Sequence, residues 1–145
     1  MFKHILLPTD GSELSEIAVD NGIRCARDIH ARVTGFHVVP EFHVITYQVE
    51  MIEDTRERFA EHCKAHAAEY LAAIEKKAEA AGVSCATAYV TSDRPYEAII
   101  RAAEERGCDL ILMASHGRSG VKGILLGSET MKVLTHSRIP VLVYR

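Results

Sequence analysis

The chain has 145 residues, 48% of them apolar and 26% charged, and carries a net charge of −3 with its histidines neutral. That length suits one domain, residues 1–145, with a core of its own, and the weak negative charge excludes a general field that would gather nucleic acid or an anionic membrane. No apolar run nears the ~20 residues of a membrane span, no signal-peptide pattern opens the chain, and Cys25, Cys63, Cys85 and Cys108 form no C-x-x-C pair. The expectation is a cytoplasmic protein with reduced thiols and neither a nucleic-acid nor a membrane partner.

In chain order, two periodicities alternate. The short apolar run FKHILLPT (2–9), closed by Pro8, predicts a strand. SELSEIAVDNGIRCARDIH (12–30) then takes helical spacing, with Leu14, Ile17, Ala18, Cys25 and Ile29 toward one face. Ser12 and Asp10 stand where an N-cap would, and Glu13 and Glu16 suit the positive helix start. ARVTGFHVVP (31–40) predicts a second strand. Residues 41–53, EFHVITYQVEMIE, fit neither period; they read as a lid or partner-contacting excursion, or equally as a short irregular helix packed on the core. The longest helical pattern covers 54–81, stepping through Phe59, Cys63, Ala67, Tyr70, Leu71, Ile74 and Ala78 before Gly82. A third strand follows at 83–91. A helix runs from Pro95 to about Arg106 with Tyr96, Ile99, Ile100 and Ala103 inward, and a fourth strand occupies 108–115. A short helix from Ser128 to His136 leads to a fifth strand at 139–145.

Strands alternating with helices predict an α/β fold: one five-stranded parallel sheet with helices on both faces. The uninterrupted aliphatics ILL and LILM mark the first and fourth strands as central, while the third mixes Ser, Thr and Tyr and reads as an edge. The order 3-2-1-4-5 satisfies both. It puts the reversal of winding between strands one and four, and the crevice beyond their carboxyl ends is where such sheets bind ligands. The two unusual loops, 8–12 and 114–127, leave those two ends.

The second loop carries the chemistry. Gly117, Gly120, Gly123 and Gly127 let backbone N–H groups approach a ligand, and Gly127-Ser128 opens a helix whose first N–H groups suit a phosphate. The Ser115 and Ser128 hydroxyls can donate as well, and Arg118 and Lys122 could neutralise phosphate charge. Glu129 opposes this, so it must face away or meet the phosphates through a divalent cation. The loop is not a Walker A sequence, and no G-x-G-x-x-G follows the first strand.

PTDGS after the first strand, ASHGRSGVKGILLGS after the fourth and PVLVYR at the end resemble the universal stress protein family over essentially the whole chain. ATP-binding members carry Gly-x2-Gly-x9-Gly-Ser/Thr; here Ala114, Gly117, Gly127 and Ser128 keep the spacing, with Ala in the first position. The resemblance implies a Rossmann-like fold of the adenine nucleotide alpha hydrolase-like kind, and ATP with Mg²⁺ or Mn²⁺ as ligand. It places Asp10 on the ribose or adenosine part, Pro8 and Thr9 beside the adenine, and the Val38 backbone at the adenine edge. Met113, Gly117, Gly127, Ser128 and the Glu129 and Thr130 backbones would surround the phosphates.

The expected role is a nucleotide-responsive stress-response binding protein, not an enzyme, with at most slow ATP hydrolysis and no catalytic residues assigned. A weak ATPase or autophosphorylating enzyme on the same site, and a nucleotide-free dimeric interaction module, are the alternatives. Asp10 and Ser128 also fit simple helix caps. His116 could touch phosphate or act as a general acid. His62 and His66 have zinc-like spacing around Cys63 but no evident third ligand, so a solvated helix face explains them and no metal site is assigned. The apolar last strand, 139–145, invites pairing with another chain, and an isologous homodimer is expected there, as the resemblance also implies.

Overall fold

The computed structural model describes residues 1–43, 49–118 and 126–145, with backbone only for 49–54. The elements are β1 (His4–Pro8), α1 (Glu13–Asp28), β2 (Arg32–Val39), α2 (Val49–Ala80), β3 (Cys85–Thr91), α3 (Pro95–Glu105), β4 (Leu110–Ala114), α4 (Ser128–His136) and β5 (Val141–Tyr144). All strands are parallel, in the order β3-β2-β1-β4-β5. Strands one and four are central and three is an edge, as their compositions require.

Both central strands are buried at every position because helices cover both faces. Ile5 and Leu7 point to one face and Leu6 to the other, since successive side chains alternate. Each is fully buried, which is worth roughly 1.5–3 kcal/mol per aliphatic side chain. On the first face, Ile5 and Leu7 join Val19 and Ile23 of α1 and Leu71 and Ile74 of α2. On the second, Leu6 joins Phe36, Ile99 and Ala103, Ile111, Met113 and Val133.

Some details differ from the sequence expectation. In α1 the buried stripe is Ser15, Ala18, Val19, Gly22, Ile23 and Ala26, whereas Ile17 is exposed. The stripe is rotated because Val19 and Ile23, one turn apart, face the sheet. Helix α2 begins at Val49, so the last part of 41–53 is the start of that long helix, not a separate short irregular one. Residues 44–48 of that stretch lie outside the described residues, and the lid reading falls on them. Phe42, just before, packs on Phe59 of α2 with ring centroids 5.2 Å apart. No helix among the described residues is long and apolar enough to cross a membrane.

Candidate functional site

β1 and β4 lie side by side, with Ile5 opposite Leu110 and Leu6 opposite Ile111, so the loops that leave them emerge together. On the β1 side the backbone turns at once. Thr9 N–H donates to the Phe36 carbonyl at 2.8 Å, and His37 Nδ1 meets the Thr9 carbonyl at 2.8 Å. A carbonyl only accepts, so that imidazole nitrogen carries the proton. The Thr9 hydroxyl accepts from Gly11 N–H and lies 3.1 Å from the Ser15 hydroxyl.

Asp10 and Ser12 divide the work that both could do. Ser12 is the N-cap of α1, its hydroxyl accepting from Ser15 N–H. Asp10 does not cap the helix. One carboxylate oxygen accepts from Ser12 N–H and the other from Arg118 N–H, each at 3.0 Å. The second bond joins residues 108 positions apart and ties the β1 loop to the glycine loop. Burial opposes the charge of Asp10, but donors from Ser12, Arg118 and Ser15 outweigh it and hold the carboxyl below its ordinary value.

On the β4 side, Gly127 N–H donates to the Ser115 carbonyl at 2.6 Å and the Thr130 hydroxyl to the Ala114 carbonyl at 3.0 Å. These two bonds seat the start of α4 on the end of β4. Two glycines permit the approach. A Cβ on Gly117 would fall on the Asp10 carboxylate, and one on Gly127 would sit 3.2 Å from His116 Cα and 3.3 Å from the Ser115 carbonyl oxygen. A side chain at Gly127 thus meets the turn after β4, between strand and helix.

Helix α4 has Gly127 as N-cap, with no side chain closing the cap. The first-turn N–H groups of Ser128, Glu129 and Thr130 have no intrahelical partner and carry partial positive charge. The Glu129 carboxylate does not oppose it. Its oxygens accept from Tyr96 N–H at 3.0 Å and from Lys132 Nζ at 3.2 Å, so it faces away, toward α3.

Between these parts lies a cavity of about 570 Å³, within the usual range for small-molecule sites. Pro8, Thr9 and Asp10 line it from β1, and Val38 from β2. Met113, Ala114 and Gly117 line it from β4 and its turn, and Gly127, Ser128, Glu129 and Thr130 from α4. Of the described residues singled out by sequence, Ser115 and Arg118 do not line it: Ser115 is buried behind His116, and Arg118 is turned elsewhere. Its backbone reaches Asp10, but its guanidinium bonds the Tyr70 hydroxyl of α2 at 2.6 Å and lies 5.8 Å from that ring's centre. Gly120, Lys122 and Gly123 lie outside the described residues.

Sequence reading did not assign Phe36, Ile99, Leu126, Met131, Pro95 and Ser15 to the site, although all line the cavity. Phe36 and Val38 share a strand face, and Pro95 and Ile99 stand one helical turn apart, so both pairs carry a periodic signal. That signal is the one for core. His116 lines the cavity too, its Nδ1 3.1 Å from the Ser115 hydroxyl. The floor is therefore apolar and aromatic, while the mouth carries one carboxylate and a helix N-terminus. Such a pairing suits a ligand with a flat apolar part and an anionic tail.

His62 and His66 lie with ring centroids 4.2 Å apart and rings tilted on α2, and His66 Nδ1 meets the Tyr70 hydroxyl at 3.2 Å. No third ligand among the described residues joins them.

The profile of the universal stress protein family matches residues 1–145. The chain belongs to the universal stress protein family. Universal stress protein YxiE of Bacillus subtilis is 33% identical over 149 residues, covering 100% of both chains. The solved structure of MJ0577, a universal stress protein of Methanocaldococcus jannaschii, superposes with a TM-score of 0.79 at 33% identity, covering 99% of this chain and 95% of that one. A universal stress protein solved in complex with cAMP has a TM-score of 0.72 at 25% identity, covering 99% and 97%. The five-stranded order and four helices are those of universal stress protein structures.

Proposed function

We propose that this universal stress protein binds an adenine nucleotide, ATP accompanied by Mg²⁺ or Mn²⁺, in the cavity at the β1–β4 switch point, and acts in the cytoplasm as a nucleotide-responsive regulator. The observation that carries the reading is the convergence of three parts on one space: the Asp10 carboxylate, the open N-terminus of α4 and the apolar floor of Phe36, Val38, Ile99 and Met113. The floor takes the adenine, with the Val38 backbone at its edge. Asp10 accepts from a ribose hydroxyl. The first-turn N–H groups of Ser128, Glu129 and Thr130 receive the phosphates. The likeness to a relative solved with cAMP supports the ligand class.

No Lys or Arg among the described residues lines the cavity. Among the described residues, a triphosphate there meets the helix N-terminus and its own cation for charge neutralisation, while Lys122 lies outside them. Of the two acids lining the space, Glu129 is committed to α3 and Asp10 to two backbone N–H groups. The cation is thus carried mainly by phosphate oxygens. Phosphoryl transfer depends on positioned charge, so hydrolysis is at most slow.

The test is calorimetry of the purified chain with ATP, AMP and cAMP, with and without Mg²⁺, beside chromatography of nucleotide released on denaturation. Saturable ATP binding is expected, weakened at least ~10-fold by Asp10→Ala, the scale of one lost charged hydrogen bond. Absence of both co-purified nucleotide and binding heat would leave the nucleotide-free interaction module as the better account.

A further inference from the structure

On the same edge of the sheet as β3, but outside the cavity, three ligating side chains meet. Glu41 and His43 follow β2 and Asp93 follows β3. The β2–β3 ladder runs to Val39 opposite Thr91, and Ser92 N–H continues it to the Val39 carbonyl at 2.9 Å, so the two chain ends stay in register beyond the strands. Glu41 N–H then donates to one oxygen of Asp93 at 3.1 Å. The other Asp93 oxygen contacts His43 Nε2. One ligand atom from each of Glu41, His43 and Asp93 lies within 4.8 Å of the other two, and all three residues are exposed.

An ion pair between His43 and Asp93 explains only part of this. It leaves the Glu41 carboxylate beside them, and no Lys or Arg among the described residues pairs with Glu41 or Asp93. The guanidinium of the adjacent Arg94 turns instead to Glu97 at 3.3 Å. Two carboxylates and one imidazole thus share a small space with a surplus of negative charge. The Glu41 N–H bond orients the Asp93 carboxylate from behind, as groups outside the first coordination sphere do for metal ligands. The donor set, one nitrogen and two oxygens at bond lengths near ~2.0–2.2 Å, is one that Zn²⁺ accepts. The imidazole disfavours Mg²⁺ and Ca²⁺, which take oxygen ligands.

We propose that Glu41, His43 and Asp93 form a surface site for a divalent transition-metal cation of the Zn²⁺ class, separate from the nucleotide cavity and clasping the ends of β2 and β3 together. It has three protein ligands, and water completes the coordination. The proposal stands independently of nucleotide binding.

The experiment is calorimetric titration of the tag-free, chelator-treated full chain with ZnSO₄, repeated with His43→Ala, Asp93→Asn and the double variant His62→Ala/His66→Ala. One Zn²⁺ per chain is expected to bind saturably, with affinity falling at least ~10-fold in His43→Ala and Asp93→Asn and unchanged in the double variant. Co²⁺ in place of Zn²⁺ should give visible absorption that His43→Ala abolishes. His43, Asp93 and His62 are exposed and His66 is half-buried on the surface of α2, so circular dichroism should stay that of the parent chain. No saturable binding, or binding that survives His43→Ala and disappears with His62→Ala/His66→Ala, overturns the assignment. So does equal affinity for Zn²⁺ and Mg²⁺, which would mean a diffuse acidic surface with no use for the imidazole.

Discussion

At the residue scale, the site depends on which of two equivalent polar groups performs which task. Ser12 closes α1, and that leaves Asp10 free to span from its own loop to Arg118 N–H. Sequence shows both residues in a capping position and cannot separate them, because the choice turns on where residue 118 arrives. The consequence can be measured. Asp10 is held below its ordinary value by its donors, against the effect of burial. Its contribution to stability is therefore complete above the unfolded carboxyl value near ~3.9 and is lost as pH falls through the lower folded value. Asp10→Asn should cost roughly 1–3 kcal/mol at about pH 7. In urea unfolding the gap between variant and parent should narrow as pH drops below ~4. A gap constant with pH would mean that the ionised carboxylate contributes nothing beyond its shape.

At the element scale, Glu129 is the residue whose role most changes between sequence and structure. In the chain it stands where a phosphate is expected and so reads as a repulsive charge. In the fold it serves the neighbouring helix. Arg94, the N-cap of α3, makes no side-chain capping bond, and the Glu129 carboxylate takes Tyr96 N–H in the first turn of that helix. An anion there is favoured by the helix dipole, and Lys132 at 3.2 Å balances it. Glu129→Ala should lower stability by roughly 0.5–2 kcal/mol, the usual cost of losing a cap, measured by urea or thermal unfolding. Glu129→Gln should recover part of that loss, since its amide oxygen can still accept. An Ala variant as stable as the parent would show that α3 and α4 are held together by their apolar contacts alone. The other elements were more legible. Nine elements were readable from alternating periodicity because strand and helix repeats are local properties. The rotation of α1, which exposes Ile17, and the onset of α2 at Val49 were not, since both are settled by what each helix packs against.

At the scale of the whole molecule, the β3-β2-β1-β4-β5 order places the candidate cavity at the middle of the sheet and β5 at an edge. Strand β5 is apolar, yet Leu142 is 43% exposed. An unpaired apolar edge is open to another chain, which is the ground on which a homodimer through residues 139–145 is expected. Light scattering is expected to find the parent chain dimeric and Leu142→Asp monomeric, with ATP affinity within about twofold, because the two surfaces lie on different parts of the sheet. A monomeric parent chain would refute the edge pairing. Loss of nucleotide binding together with the dimer would instead place the partner chain at the cavity.

What could be read along the chain was whatever depends on near neighbours: the strand and helix repeats, the central rank of ILL and LILM, the spacing Ala114, Gly117, Gly127, Ser128 and the stop at Pro8. What required the folded chain was every relation between distant residues. Phe36 and Ile99 look like core in sequence and are core, yet they also floor the cavity, because the gap between α3, α4 and the sheet opens over them. Arg118 looks like a phosphate ligand, yet its backbone N–H bonds Asp10 while its guanidinium extends to Tyr70 of α2. Periodicity records which way a side chain faces relative to its own element. What it meets there depends on how separate elements close around one another, and burial and hydrogen bonding decide that only once the sheet has formed.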